Sequence, residues 1–217
     1  SRLGDLREQS LIRQGKGWFH VSGMGHEALA VAGYLLREGD FFAGYYRDRP
    51  IALARGLGTY DLALAFFAKR TSASGGRQMP AHYSNRERGI LSIASVVGAS
   101  LLPAAGLAWS LQLDGRENCV LTTVGDAGTR QGEFYEAVAF AMERKLPLVF
   151  LVEDNGIGIS TVTDAMTPLG LGMLPPEHWR QVDGCDPEDV FKAVHPAFAA
   201  ARGGEGPQFL WCRTERI

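Results

Sequence analysis

Two short segments carry the residue types best suited to chemistry. One is Val124-Gly125-Asp126-Ala127-Gly128; the other is Glu153-Asp154-Asn155-Gly156, which places Asn155 29 residues after Asp126. A carboxylate and an amide oxygen are hard donors of the kind Mg²⁺ or Ca²⁺ accepts, and Mg²⁺ typically completes its shell with phosphate and water. Gly125, Ala127 and Gly128 are small enough for backbone N–H groups to approach a phosphate where a helix begins. The same residues also suit plainer duties, with Asp126 capping the next helix and Asn155-Gly156 forming a turn. Residue types alone leave both readings open.

Other candidates are more ambiguous. Gly23-Met24-Gly25-His26-Glu27-Ala28 matches the glycine pattern of a dinucleotide-binding turn. Such a turn needs a buried strand before it and an acid ending the next strand, about 20 residues on. Gly17 to Val21 makes a poor buried strand, and Asp40, the acid at the right distance, precedes an aromatic segment instead of ending it. Tyr46-Arg47-Asp48-Arg49 sets two guanidiniums beside Tyr45 and Tyr46, and Arg favours bidentate phosphate contact. His82, in Gly75-Gly76-Arg77-Gln78-Met79-Pro80-Ala81-His82, is a candidate base or an ordinary loop histidine. Glu133 and Glu136 need only the helix dipole to explain them.

The elements that must position these residues alternate. Leu3–Arg13 and His26–Leu36 read as helices, Asp40–Tyr46 as a short aromatic strand or strand-like turn, and Asp48–Arg55 and Thr59–Lys69 as helices, with Thr59 as an N-cap. Residues 71–89 form a long polar loop. Val120–Val124 and Leu148–Val152 are apolar runs of the sort buried on both faces of a parallel sheet. Helix Gly132–Met142 lies between them. Residues 154–183 read as a loop. Asp186-Pro187-Glu188 opens a helix running to about Arg202, and Pro207–Arg213 is a final strand. The order predicts an α/β fold, a mainly parallel sheet flanked by helices. Ligands then bind beyond the carboxyl ends of the strands, where Asp126 and Asn155 would sit together.

Composition narrows the function. Lys+Arg is 22 and Asp+Glu is 24, a net charge of −2, which argues against a protein held to nucleic acid by a basic face. Three cysteines without a C-x-x-C, and five histidines without ligand spacing, argue against a disulfide framework or a zinc site and for a reduced, cytoplasmic setting. Residues 1–17 lack the apolar centre of a signal peptide. Gly89 to Leu113 carries no charge, but its serines, glycines and proline fit a buried loop and core helix better than a membrane span. Glycine is 27 of 217, about 12% against a typical ~7%.

Taken in order, GHEA (25–28), YYRDR (45–49), SGGRQMPAHY (74–83), GDAGTRQGEFYEA (125–137), LPLVFLVEDNGIGIST (146–161) and VDGCDPEDVFKAV (182–194) resemble the alpha subunit, or alpha half, of thiamine-diphosphate-dependent 2-oxo acid dehydrogenases. The SGGRQMPAHY form leans toward the branched-chain type. The resemblance implies a thiamine diphosphate-binding fold and a decarboxylating oxidoreductase that passes an acyl group to a lipoyl-bearing acyltransferase. It also implies a heterotetramer within a multienzyme complex. A beta subunit or fused beta domain would supply the Glu that activates the aminopyrimidine. A eukaryotic member would work in the mitochondrial matrix.

By resemblance, Asp126 and Asn155 match the Mg²⁺ ligands and Ile157 the position whose backbone carbonyl joins them, where the family usually has Tyr. Tyr46 and Arg47 match diphosphate contacts, Gly125, Ala127 and Gly128 the phosphate turn, and Ser95 and Val97 the aminopyrimidine segment. Glu153 stands where some members use Arg. Gly-Asp-Ala-Gly departs from the family's Gly-Asp/Glu-Gly-Ala, putting a Cβ at 127 where backbone meets phosphate. Residues 1–217 are expected to form one such domain, stopping short of the family's C-terminal active-site loop. His82 is carried as a candidate catalytic or substrate contact. The competing expectations are a nicotinamide-dependent dehydrogenase using Gly23–Ala28 and a non-catalytic scaffold of the same fold.

Overall fold

A computed structural model describes residues 1–163 and 166–217; residues 164–165, inside the expected 154–183 loop, lie outside the described residues. The chain runs α1 (Arg2–Arg13), α2 (Ala30–Leu35), β1 (Phe41–Ala43), α3 (Arg49–Ala54), α4 (Thr59–Phe66), α5 (Leu101–Leu113), β2 (Val120–Gly125), α6 (Gly132–Arg144), β3 (Leu148–Asp154), β4 (Ile157–Gly158), β5 (Thr161–Val162), β6 (Arg180–Asp183), α7 (Pro187–Arg202) and β7 (Gln208–Arg213). Five strands form one parallel sheet in the order β1-β2-β3-β7-β6. β4 and β5 are a separate antiparallel hairpin.

The strand sequences explain the layering. All seven residues of β3 are buried, as expected of a central strand covered on both faces. Successive side chains point to opposite faces. Leu121, Val149, Leu151 and Leu210 therefore pack toward α2, α3 and α7. Val120, Val124, Phe150, Val152 and Trp211 pack toward α5 and α6. Each such side chain contributes about 1.5–3 kcal/mol on burial.

Several expectations shift. The aromatic strand is only three residues long, and 3-10 turn Glu27–Leu29 precedes α2 in place of helix. Thr59 is the first residue of α4, not its cap: Gly58 holds that place, its N–H donating to Asp61 Oδ2 at 3.1 Å. The 154–183 segment contains three strands, β4, β5 and β6. α7 starts as expected, with Asp186 Oδ1 accepting from Glu188 N at 2.9 Å and Pro187 in the first turn. The uncharged stretch 89–113 ends in α5, whose 13 residues span about 20 Å. Among the described residues, no helix is long and apolar enough to cross a membrane.

Because the sheet is parallel, the segments leaving β1, β2, β3 and β7 share one edge. There lie Tyr45–Asp48, Asp126–Gly128, Asn155–Ile157 and Thr214.

Candidate active site at the carboxyl edge of the sheet

Gly125 of β2 pairs with Glu153 of β3, so Asp126 and Asn155 leave neighbouring strands at the same level. Asp126 opens a 3-10 turn, Asp126–Arg130, tied by Thr129 Oγ1 donating to its carbonyl at 2.5 Å. Its carboxyl group is buried, at 2% exposure, and Thr163 Oγ1 donates to Oδ2. Burial pushes the Asp126 pKa up, against the Thr163 hydrogen bond. Among the described residues, no ion pair involves Asp126. A buried carboxylate with no cation is costly unless something supplies positive charge. A divalent metal does so, and the donor set of carboxylate, Asn155 amide oxygen and Ile157 carbonyl suits Mg²⁺.

The hairpin β4–β5 completes this floor. Asn155 Oδ1 accepts from Ile157 N at 3.2 Å, turning the chain into β4. Thr163 N donates to Gly156 O at 2.9 Å, which brings Thr163 back over Asp126. The swapped Ala127 is accommodated. It is absent from the left-handed non-glycine positions, which are Ala68, Ala81, Lys145 and Ile159. Its methyl fits because residue 158 is glycine: a Cβ there would lie 2.5 Å from Ala127 Cβ.

Beneath the turn lies a buried polar network that residue types did not announce. Glu153 Oε2 receives Tyr45 OH at 3.1 Å and faces His26 Nδ1 at 2.5 Å. Asp48 Oδ2 accepts from Tyr45 N and Thr123 Oγ1, each at 2.5 Å. Burial, then the neighbouring Glu153 charge, push the Asp48 carboxyl well above the usual carboxylate range. Burial raises Glu153 as well, but hydrogen bonds from Asp48 and Tyr45 oppose that shift, so Asp48 is the better proton holder of the pair. Burial lowers the His26 pKa to about 4, with Arg47 adding to the effect.

A second chain of contacts crosses the opening. Arg47 lies 5.8 Å from the Tyr46 ring centroid and donates to Ser22 O at 2.6 Å. Tyr46 stacks on His82 with centroids 6.1 Å apart. His82 Nδ1 meets Pro80 O at 2.9 Å, so it carries the proton, and Nε2 accepts from Ser95 Oγ at 2.7 Å. Val97 packs on Gly128. The structure thus links Tyr46, Arg47, His82 and Ser95 in sequence and brings Val97 to the phosphate turn. Asp126, Ala127, Asn155 and Ile157 gather opposite.

The dinucleotide reading of Gly23–Ala28 fails on geometry. No strand precedes it: residues 17–23 have no regular structure. Gly25, at φ 89°, is needed for chain packing, since a Cβ there would lie 1.8 Å from Glu215 O. The histidines, without ligand spacing in sequence, do include one near acids in space: His20 lies with Asp5 and Glu8. Arg49 already fills that cluster, 3.1 Å from Asp5 and 2.6 Å from Glu8.

A family model described as "Dehydrogenase E1 component" matches residues 1–217. The chain belongs to the dehydrogenase E1 component family. It is 36% identical over 228 residues to the 2-oxoisovalerate dehydrogenase subunit alpha of Bacillus subtilis (strain 168), covering 100% of this chain and 68% of that protein. It is 34% identical over 221 residues to the pyruvate dehydrogenase E1 component subunit alpha of Bacillus cereus, covering 100% of this chain and 57% of that one. A mitochondrial 2-oxoisovalerate dehydrogenase subunit alpha 1 of Arabidopsis thaliana is 31% identical over 210 residues, 94% of this chain and 44% of its own length. The chain therefore spans roughly half to two thirds of these relatives. E1 family membership agrees with the resemblance read from the motifs and with the parallel α/β fold, and it implies thiamine diphosphate as the cofactor.

Sequence reasoning missed Thr163, Tyr45, Asp48 and the role of His26. His26 had a signal in its place in GHEA, and Tyr45 and Asp48 in theirs in YYRDR; Thr163 had none. Thr163, Asp48 and Tyr45 reach the site through contacts 37, 75 and 108 residues apart.

Proposed function

We propose that this E1-family chain is the diphosphate-binding alpha component of a 2-oxo acid dehydrogenase. The reaction is oxidative decarboxylation of a 2-oxo acid, with the acyl group passed to a lipoyl-bearing acyltransferase. One observation carries the assignment of the site: Asp126, buried and with no ion-pair partner among the described residues, lies on neighbouring strand ends with Asn155. Asp126, Asn155 Oδ1 and the Ile157 carbonyl would hold Mg²⁺. Tyr46 and Arg47 would hold the diphosphate, with the backbone of Gly125, Ala127 and Gly128 closing on it. Ser95 and Val97 would border the aminopyrimidine. Thiamine diphosphate, when bound, supplies the carbon nucleophile and electron sink for decarboxylation.

The chain's own residues bind, orient and hold protons. His82 acts as a positioning residue: with its Nδ1 proton committed to Pro80, its Nε2 fixes the Ser95 hydroxyl. A beta subunit or fused beta domain completes the site, and the SGGRQMPAHY segment favours a branched-chain substrate. The reading carries the cytoplasm as location, or the mitochondrial matrix in a eukaryote.

The test is release of CO₂ from 3-methyl-2-oxobutanoate and pyruvate by the assembled protein, with an artificial electron acceptor. Turnover that requires both thiamine diphosphate and Mg²⁺, faster on the branched acid, is expected. Cofactor binding without turnover on either acid would favour a scaffold subunit. Absence of cofactor binding would overturn the reading.

A further inference from the structure

The Asn155 side chain can serve a metal only if its oxygen, not its nitrogen, faces the site, and the two faces of an amide differ by little intrinsically. Asn155 Nδ2 lies 3.3 Å from His26 Nε2, while Oδ1 accepts from Ile157 N. That arrangement needs a lone pair on Nε2, and the other ring nitrogen decides whether one is there. His26 Nδ1 lies 2.5 Å from Glu153 Oε2, an oxygen that already receives Tyr45 OH. An oxygen accepting from tyrosine is the acceptor for Nδ1–H as well. Nε2 is then unprotonated and accepts from Asn155; Thr214 Oγ1 lies 3.4 Å from the same nitrogen. The opposite tautomer would set N–H against NH₂ and favour rotating the amide, which would turn Oδ1 toward His26 and away from Ile157 N.

The imidazole is well placed to impose this choice. It is 1% exposed and comes from a segment 127 residues before Glu153, so it forms a fixed block behind Asn155. Gly25, packed against the Glu215 backbone, holds that segment in place. We propose that His26 is a positioning residue: its Nε2 lone pair holds the Asn155 amide with Oδ1 turned toward a metal at Asp126. The proposal rests on the Asp126–Asn155 metal reading above and extends it to a residue that touches neither metal nor substrate. Metal-ligand orientation by such outer partners typically changes affinity 10–100-fold.

Two polar substitutions separate orientation from mere support. His26→Asn places an amide near Nδ1, keeping a donor for Glu153 and losing the acceptor for Asn155. His26→Gln reaches the Nε2 position and restores an acceptor there. Mn²⁺ affinity is read by electron paramagnetic resonance on the protein as purified, with any accompanying subunit, in saturating thiamine diphosphate. Asp126→Ala is the control. About 10–100-fold weaker Mn²⁺ binding is expected for His26→Asn, with most of it recovered in His26→Gln. Equal loss in both, or no loss in His26→Asn while Asp126→Ala fails to bind, would overturn the positioning role and leave the metal reading standing. Wild-type affinity in Asp126→Ala would overturn the metal reading itself. Should neither His26 variant fold, the wild-type ¹⁵N spectrum decides: an unprotonated Nε2 is expected, and a protonated one would overturn the proposal.

Discussion

At the start of β1, Asp40 is 1% exposed, and its carboxylate is fully engaged. Arg202 Nη2 and Arg37 N donate to Oδ2 at 2.5 and 2.7 Å, and Cys119 N donates to Oδ1 at 3.0 Å. Burial alone would raise its pKa, but the Arg202 hydrogen bond and the backbone donors outweigh it and hold it low. Just past the other end of β1, Asp48 is equally buried but meets a second carboxyl group, and burial drives its pKa well up. Asp126, on the same edge, is also raised by burial. Asp40 is an anion whose charge is satisfied within the fold, closing the amino edge of the sheet. Among the described residues, neither Asp126 nor Asp48 has an ion-pair partner. At the carboxyl edge, then, Asp48 is accommodated by a proton, and Asp126 is the buried acid whose charge a ligand would balance.

That contrast can be broken by mutation. Asp40→Ala leaves Arg202 without its partner and should destabilise the fold by about 3–5 kcal/mol, with thiamine diphosphate affinity unchanged. Urea denaturation and calorimetry together check both halves; a parallel loss of affinity would blur the distinction between the two edges.

The pH dependence should run in opposite directions. The stability Asp40 contributes is fully present above its unfolded value of about 4 and is lost as pH falls through its lower folded value. Asp48 holds a proton in the fold that the unfolded chain releases above about pH 4, so its contribution declines as pH rises toward its raised folded value. Asp48→Asn should flatten the alkaline side of the urea midpoint–pH profile, and Asp40→Asn the acid side. Profiles that move the same way for both would contradict the contrast.

Smaller effects sharpen it. Ile159, 93% exposed at φ 57°, is β-branched in left-handed backbone at the tip of the β4–β5 hairpin. Ile159→Gly should raise stability by less than about 1 kcal/mol, relief of strain offset by backbone entropy. Ser95→Ala should leave the thermal midpoint nearly unchanged and weaken cofactor binding by less than about tenfold, the loss of one hydrogen bond donated to His82.

The regular parts of the fold are legible because their signals are local. The apolar runs of β2 and β3, the Asp186-Pro187 start of α7 and the strand-end spacing of Asp126 and Asn155 all read directly. β6 does not: only Val182 of Arg180–Asp183 is buried, so this edge strand carries no alternating apolar pattern. The β4–β5 hairpin is two residues per strand, too short for periodicity to register. The Asp40–Arg202 clip joins residues 162 apart, and the His26–Glu153 contact joins residues 127 apart. Local spacing carries no trace of either. Gly25 shows the opposite error, since a recognisable glycine pattern serves backbone packing against Glu215.

The central claim is that Asp126 awaits a metal-bound diphosphate. Isothermal titration with thiamine diphosphate, with and without Mg²⁺, on the assembled protein and its Asp126→Ala variant tests it most directly. The account predicts Mg²⁺-dependent binding in the wild type, lost by more than about tenfold in the variant while the thermal midpoint holds or rises, since a buried unpaired carboxyl is removed. Unchanged Mg²⁺-dependent affinity in a folded Asp126→Ala variant would contradict it.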